Sequence, residues 1–143
     1  MNCTSLERVT IPDGVTAIGD AAFSGCVHLR EVTIPERVTT IGACAFFDCN
    51  SLTCVRIPAA VAEIGEGAFA SCARLRTVEV ADGNPAFSVA GGVLVSADHT
   101  RLLAYPNGRA GVDYVVPASV TAMDAHAFQG CRLVSITLPD GLK

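Results

Sequence analysis

The sequence predicts an α/β repeat fold: a solenoid of 23-residue coils with a parallel sheet, short helical turns and one elongated repeat that contains a β-hairpin. Three observations predict it. Ten apolar or special positions recur at a spacing of 23 through three successive copies. Each of those copies ends a short alternating segment on Ile-Pro. One later interval is 36 residues long instead of 23, and it holds two apolar runs bracketed by turn residues.

The register starts at Leu6, Val9, Ile11, Pro12, Val15, Ile18, Gly19, Ala22, Phe23 and Cys26. It returns as Leu29, Val32, Ile34, Pro35, Val38, Ile41, Gly42, Ala45, Phe46 and Cys49, and again from Leu52 to Cys72. Self-similarity at a fixed period of this size is the signature of a stacked repeat architecture. A single coil cannot bury its apolar positions by itself. Stacking buries them against the same positions of the neighbouring coils, so stability becomes a sum of nearest-neighbour terms, each fully buried side chain contributing roughly 1.5–3 kcal/mol.

Each element follows from its residues. The alternation at the end of Leu-x-x-Val-x-Ile suits short strands at Arg8–Ile11, Glu31–Ile34, Cys54–Ile57 and Thr77–Val80. Proline ends each strand of the three regular copies because it has no N–H for a ladder. A second extended piece, Val-x-x-Ile-Gly, follows, with Gly19, Gly42 and Gly65 expected to turn the chain tightly, at positive φ. One helical turn, Asp20–Ser24 and its equivalents, then points Ala and Phe inward, and Cys closes the coil.

The fourth copy departs. Leu75, Val78 and Val80 are in register, but Ala81 stands where proline is due, and the next Val-Pro pair is Val116-Pro117. That pair lies 36 residues after Val80, which leaves 13 extra residues. Inside the interval Val93–Ser96 and Arg101–Ala104 read as a β-hairpin joined by Ala97–Thr100. Gly91-Gly92 and Asn107-Gly108 are turn signals on either side. The pattern resumes with Val120, Met123, Ala127, Phe128 and Cys131, with Asp124 in the place of the glycine. The last copy, Leu133 to Leu142, follows a one-residue deletion. The expected organisation is one repeat domain over 1–143: regular repeats at 3–80, the elongated repeat at 81–116 and regular repeats at 117–143. Neither terminus reads as a polar cap, so a fragment of a longer array is expected, with end-to-end self-association open to it.

The motif I-P-x-x-V-x-x-I-G-x-x-A-F-x-x-C, at Ile11–Cys26, Ile34–Cys49 and Ile57–Cys72, resembles the BspA-like, or Treponema pallidum type, leucine-rich repeat. The block from Asn84-Pro85-Ala86-Phe87 through Tyr105-Pro106 is similar to an elongated repeat common in that family. The resemblance implies a leucine-rich-repeat solenoid. It also implies a surface or secreted location and a part in adhesion to host matrix or to other cells, since that is where family members of gut and oral bacteria, spirochaetes and some protists are found.

Composition narrows the function classes. Half the residues are hydrophobic and 17% are charged, which excludes a disordered tail. The formal net charge is −4, and the ten Lys and Arg read as scattered, with no basic stripe and no aromatic platform, so no nucleic-acid partner is expected. No apolar run approaches the roughly 18 residues needed to cross a bilayer, so no membrane insertion is expected. Met1-Asn2-Cys3 is not followed by a signal-like stretch. Three origins stay open: a cloned mature form, a signal on a longer parent chain, or a cytosolic protein.

Neither catalysis nor a metal or other cofactor is expected. Cys3, Cys26, Cys49, Cys72 and Cys131 share one repeat position and read as a buried ladder of free thiols, because stacked parallel Cβ vectors bridge poorly. Cys44, Cys49 and Cys54 have no C-x-x-C or His partner for zinc. His28, His99 and His126 lie at unrelated coil positions, so no nucleophile has a base in reach.

A protein ligand would meet the outward residues of the strands. These are Arg8 and Thr10, Glu31 and Thr33, Cys54 and Arg56, Thr77 and Glu79, then Asp113, Val115, Ser135 and Thr137. The candidate binding set is Arg8, Thr10, Glu31, Thr33, Arg56, Thr77 and Glu79, with Phe87 and Tyr105 of the elongated block, since binding hot spots favour aromatics and Arg. The bland alternative is a solvated face with charge pairs worth roughly a few tenths of a kcal/mol, and a hairpin that only pads the stack. The expected function is a non-catalytic adhesion module of a bacterial surface or secreted protein; a ligand-free spacer and an accessory domain attached to an enzyme are the alternatives.

Overall fold

A computed structural model describes residues 4–142, and among them the chain forms thirteen short strands and no helix. The front strands are β1 (Arg8–Thr10), β3 (Glu31–Thr33), β5 (Cys54–Ile57), β7 (Thr77–Val80), β11 (Asp113–Val115) and β13 (Ser135–Thr137). The second extended pieces are β2 (Ala17–Ile18), β4 (Thr40–Ile41), β6 (Glu63–Ile64) and β12 (Ala122–Met123). The elongated repeat supplies β8 (Phe87–Ala90), β9 (Val93–Ser96) and β10 (Arg101–Ala104).

The 23-residue period appears directly in the register. Arg8 pairs with Glu31, Ala17 with Thr40 and Thr40 with Glu63, all in parallel. The front face is three parallel pairs, β1–β3, β5–β7 and β11–β13, while β2, β4 and β6 form one continuous three-stranded sheet. Between front strand and second strand the proline carbonyl closes a turn, with Val15, Val38, Val61 and Val120 N–H donating to Pro12, Pro35, Pro58 and Pro117 O. The core runs down the middle. Leu29, Val38, Ile41, Phe46, Cys49 and Leu52 are fully buried, their successors in the next coil are buried except the half-buried Ile64, and Phe23, Phe46 and Phe69 stack with centroids 5.3 and 5.5 Å apart.

The expected helical turn is not helical. Alternate amides close local turns: Ala22, Ser24 and Cys26 N–H donate to Gly19, Ala21 and Phe23 O. The amides between them donate along the stack, from Ala21, Phe23 and Gly25 to Ala43, Ala45 and Phe47 O. The next coil repeats this with Cys44, Phe46 and Asp48 on Glu66, Ala68 and Ala70. A helix would keep its N–H groups within its own segment. Here Ala21, Cys44 and Gly67, and again Gly25, Asp48 and Ser71, take positive φ between 55° and 75°, and each reverses the local hand. The segment is therefore a third ladder linking coils.

The conserved-register glycines do a different job from the one expected. Gly19, Gly42 and Gly65 are not in the left-handed region. A Cβ on Gly42 would lie 2.5 Å from Asp20 N, and one on Gly65 would lie 2.3 Å from Ala43 N. Gly42 and Gly65 are glycines because the coils touch there; a Cβ on Gly19 would meet nothing within 4 Å. Asp124 can occupy the same position because the layer beneath it is β10, a strand, whose Arg101 Nε lies 2.5 Å from the Asp124 carboxylate.

The hairpin is as expected, and β8 extends it into an antiparallel three-stranded meander through a two-residue Gly91-Gly92 turn with φ of 57° and 84°. Its faces are both buried. Leu94 and Leu103 pack into the core of the regular stack, while Val93, Val95 and Leu102 pack with Tyr105, Val116, Val120 and Ala127 in a second core. Asn84 fixes its start. Its Nδ2 donates to Pro58 O and Val61 O, and its Oδ1 accepts from Ala86 and Phe87 N–H at 2.8 and 2.9 Å. On the last described coil Val134, Ile136 and Leu138 are exposed, as is Val115 on β11.

Candidate functional site

The front sheet presents the candidate residues as expected from strand alternation. Arg8, Thr10, Glu31, Thr33, Arg56, Thr77 and Glu79 are all exposed. Register sets Thr10 beside Thr33 and Arg56 beside Glu79. Arg8 faces Glu31 at 3.9 Å, and Arg56 Nη1 donates to Glu36 Oε1 at 2.5 Å. Both pairs are solvated, so each is worth roughly 0–1 kcal/mol. The face splits at β3 and β5, which run side by side without a ladder.

Phe87 and Tyr105 do not join that face. Phe87 is 9% exposed and Tyr105 4%, and both belong to the cores. Their aromatic surface fills the seam between regular coils and meander, so the expectation that they anchor a ligand meets a packing role. Tyr105 sits edge-on to Tyr114 at 5.1 Å and tilted against Phe128 at 5.6 Å. Burial raises the Tyr114 hydroxyl pKa, opposed by the nearby Arg109 charge.

Arginines read as scattered in the sequence come together in space. Arg74, Arg76, Arg109 and Arg132 line one cleft of about 550 Å³ with Thr53 and Asn107. Arg109 lies over both Tyr105 and Tyr114, 5.5 Å from each ring centroid. Gly108 N–H donates to Leu75 O at 2.7 Å, which seats the Asn107–Arg109 loop as an extra layer on the stack. A Cβ at Gly108 would lie 2.5 Å from the Arg74 backbone. The signal was present: Arg74 and Arg132 each precede the register leucine, and Arg109 lies 23 before Arg132. Only the seating of the loop turns those facts into one cluster.

The potential reactive groups are apart. Cys49 and Cys72 thiols donate to Phe23 O and Phe46 O of the coils before them, at 3.2 and 3.0 Å. Desolvation raises both pKa values, that of Cys72 to about 12. They stay protonated and unreactive at neutral pH. Cys3 lies outside the described residues; Cys131 is half-buried and Cys54 exposed, its pKa raised by partial burial and Glu79. His28 Nδ1 meets Thr4 O and His126 Nδ1 meets Gln129 Oε1, each at 2.6 Å. Among the described residues no cluster of His, Cys, Asp and Glu could hold a metal ion, and no helix is long and apolar enough to cross a membrane.

Six copies of the BspA-type leucine-rich repeat match residues 1–88 and 111–143. The chain belongs to the BspA-type leucine-rich-repeat family. The unmatched stretch, 89–110, holds most of the meander and the loop with Arg109. None of the curated proteins compared is significantly similar. Among solved structures, a leucine-rich cell-surface protein of Faecalibacterium prausnitzii is 36% identical, with a TM-score of 0.87 over 98% of this chain and 37% of its own. The pneumococcal vaccine antigen PcpA is 28% identical, with a TM-score of 0.89 over 96% of this chain and 35% of its own. The T. pallidum leucine-rich-repeat protein is 32% identical, with a TM-score of 0.56 over 96% of this chain and 49% of its own. The chain thus spans between a third and a half of the length of these relatives.

Proposed function

We propose that this chain is a non-catalytic, protein-binding module of a bacterial cell-surface or secreted protein, acting in adhesion. The reading rests first on the front sheet. Seven exposed polar side chains, Arg8, Thr10, Glu31, Thr33, Arg56, Thr77 and Glu79, stand on parallel strands in fixed register. The sheet fixes their backbones in one register, so no backbone ordering is required when they bind, and only the side chains lose freedom. Similar solved structures include one named as a cell-surface protein and one named as a vaccine antigen, which supports the location. The whole of 1–143 acts as one repeat domain in this reading.

The test is a binding screen of the purified chain against extracellular-matrix and host-surface proteins, with an Arg8→Ala, Arg56→Ala variant beside it. Saturable binding weakened at least tenfold in the variant is the expected result. A correctly folded chain, by circular dichroism, that binds none of them would replace adhesion with a spacer role.

A further inference from the structure

We propose that the cleft formed by Arg74, Arg76, Arg109 and Arg132 is a binding site for a sulfated polysaccharide. The chain carries net charge −4, yet four of its nine arginines line this one cleft and no acidic residue does. Among the described residues none of the four has a carboxylate within ion-pair distance; Arg30 and Arg37 also have none, but they line no shared cleft, while Arg8, Arg56 and Arg101 are each paired. Clustering like charges without counter-charges is repulsive, and a surface under no demand to bind anions would intersperse acids among them.

The cluster is also built. Arg74 and Arg132 occupy the same repeat position, and Arg109 enters between them on the loop that Gly108 lets approach the Arg74 backbone. Arg109 is held against the faces of Tyr105 and Tyr114, and its Nη1 is buried without a hydrogen-bond partner. The residue as a whole is half-buried, and its guanidinium has tyrosine faces but no carboxylate beside it, so an anion in the cleft would offset the cost of holding that charge there. Asn107, itself only 4% exposed, is fixed by its Nδ2 donating to Gln129 O at 2.8 Å.

The chemistry of the lining selects the ligand class. Guanidinium groups pair bidentately with tetrahedral oxyanions. Arginines on successive layers, spaced by roughly the 4.8 Å between neighbouring strands, suit an extended chain with repeated anionic groups better than one small ion. Ala73 is the sole apolar side chain of the lining, so a peptide finds no pocket for an anchor. Single-stranded nucleic acid would want exposed aromatic faces for its bases, and Tyr105 is buried and Tyr114 half-buried beneath Arg109.

The experiment measures binding of the chain to heparin at several salt concentrations, with desulfated heparin and a single-stranded oligothymidylate as comparison ligands. Arg74→Gln, Arg132→Gln removes two cleft charges; Arg30→Gln, Arg37→Gln removes two exposed charges elsewhere. The expected result is saturable heparin binding that desulfation abolishes. The cleft variant weakens it at least tenfold and lowers the slope of log affinity against log salt by about 2, while the control variant stays within twofold. Equal losses in the two variants, equal binding of desulfated heparin, or equally tight binding of the oligothymidylate would each overturn the proposal. This site and the front sheet share no residue, so one can fail without the other.

Discussion

Gly19, Gly42 and Gly65 hold one position in three successive coils, and their surroundings differ sharply. A methyl group at Gly42 or Gly65 meets backbone of the preceding coil at 2.6 Å or less, while one at Gly19 meets nothing within 4 Å. None has positive φ, so the left-handed penalty is absent from all three. Gly65→Ala must push two coils apart and should cost at least about 3 kcal/mol, at the top of the range for overpacking. Gly19→Ala should change stability by less than about 1 kcal/mol, the scale of a compatible Gly→Ala exchange. Urea unfolding of the two variants checks this. Equal effects would mean that the glycines serve backbone conformation and not coil contact. The same comparison shows what the residue pattern left illegible: recurrence marked the position as special, but the tight contact belongs to a neighbour 22 or 23 residues away.

At the scale of the element, the strands and the hairpin turns were legible and the segment that closes each coil was not. Alternating Val and Ile with a following Pro located β1, β3 and β5 within a residue, and alternation without the Pro located β7, because strand periodicity is local. The closing segment looked helical because Ala, Phe and Cys recur at spacings a helix would also satisfy. Its alternation of local and inter-coil hydrogen bonds depends on the next coil being present, and no local pattern encodes that. The front-face residues could be read from alternation alone; the arginine cleft could not, since it needs the loop before Val112 seated on Leu75. The β9–β10 loop carries a pH signature of its own. Asp98 Oδ1 accepts from Ser96 Oγ, Thr100 N–H and Thr100 Oγ1, and these bonds lower its pKa from 3.8 to about 2. A depressed carboxylate pKa means that the loop contacts are at full strength above about pH 4 and are lost as pH falls through about 2. The Thr100 amide resonance should titrate with a midpoint near 2, and Asp98→Asn should remove the transition; a midpoint at the ordinary 3.8 would show that the three bonds do not form in solution.

For the whole molecule, the meander decides whether there is one cooperative unit or two. A strand buried on one face alternates apolar and polar residues, whereas Val93-Leu94-Val95 and Leu102-Leu103 are continuous apolar runs, as expected of strands covered on both faces. Leu94 and Leu103 close the core of the regular coils; Val93, Val95 and Leu102 open the second core beneath β11 and β12. In a solenoid, stability passes between nearest neighbours, and here the neighbour on each side is the same pair of hydrogen-bonded strands. Losing either face should therefore loosen the strands that support the other. Leu94→Ala and Leu102→Ala, both at fully buried positions, should each cost about 2–5 kcal/mol, the usual range for such truncations. Each should keep a single unfolding transition, with amides of β4 and of β11 losing protection together in hydrogen exchange. If Leu94→Ala speeds exchange only in β2, β4 and β6, and Leu102→Ala only in β11, β12 and β13, the meander is a partition between two independent units. The arginine cleft would then span a boundary that can open, because Arg74 belongs to one side and Arg132 to the other.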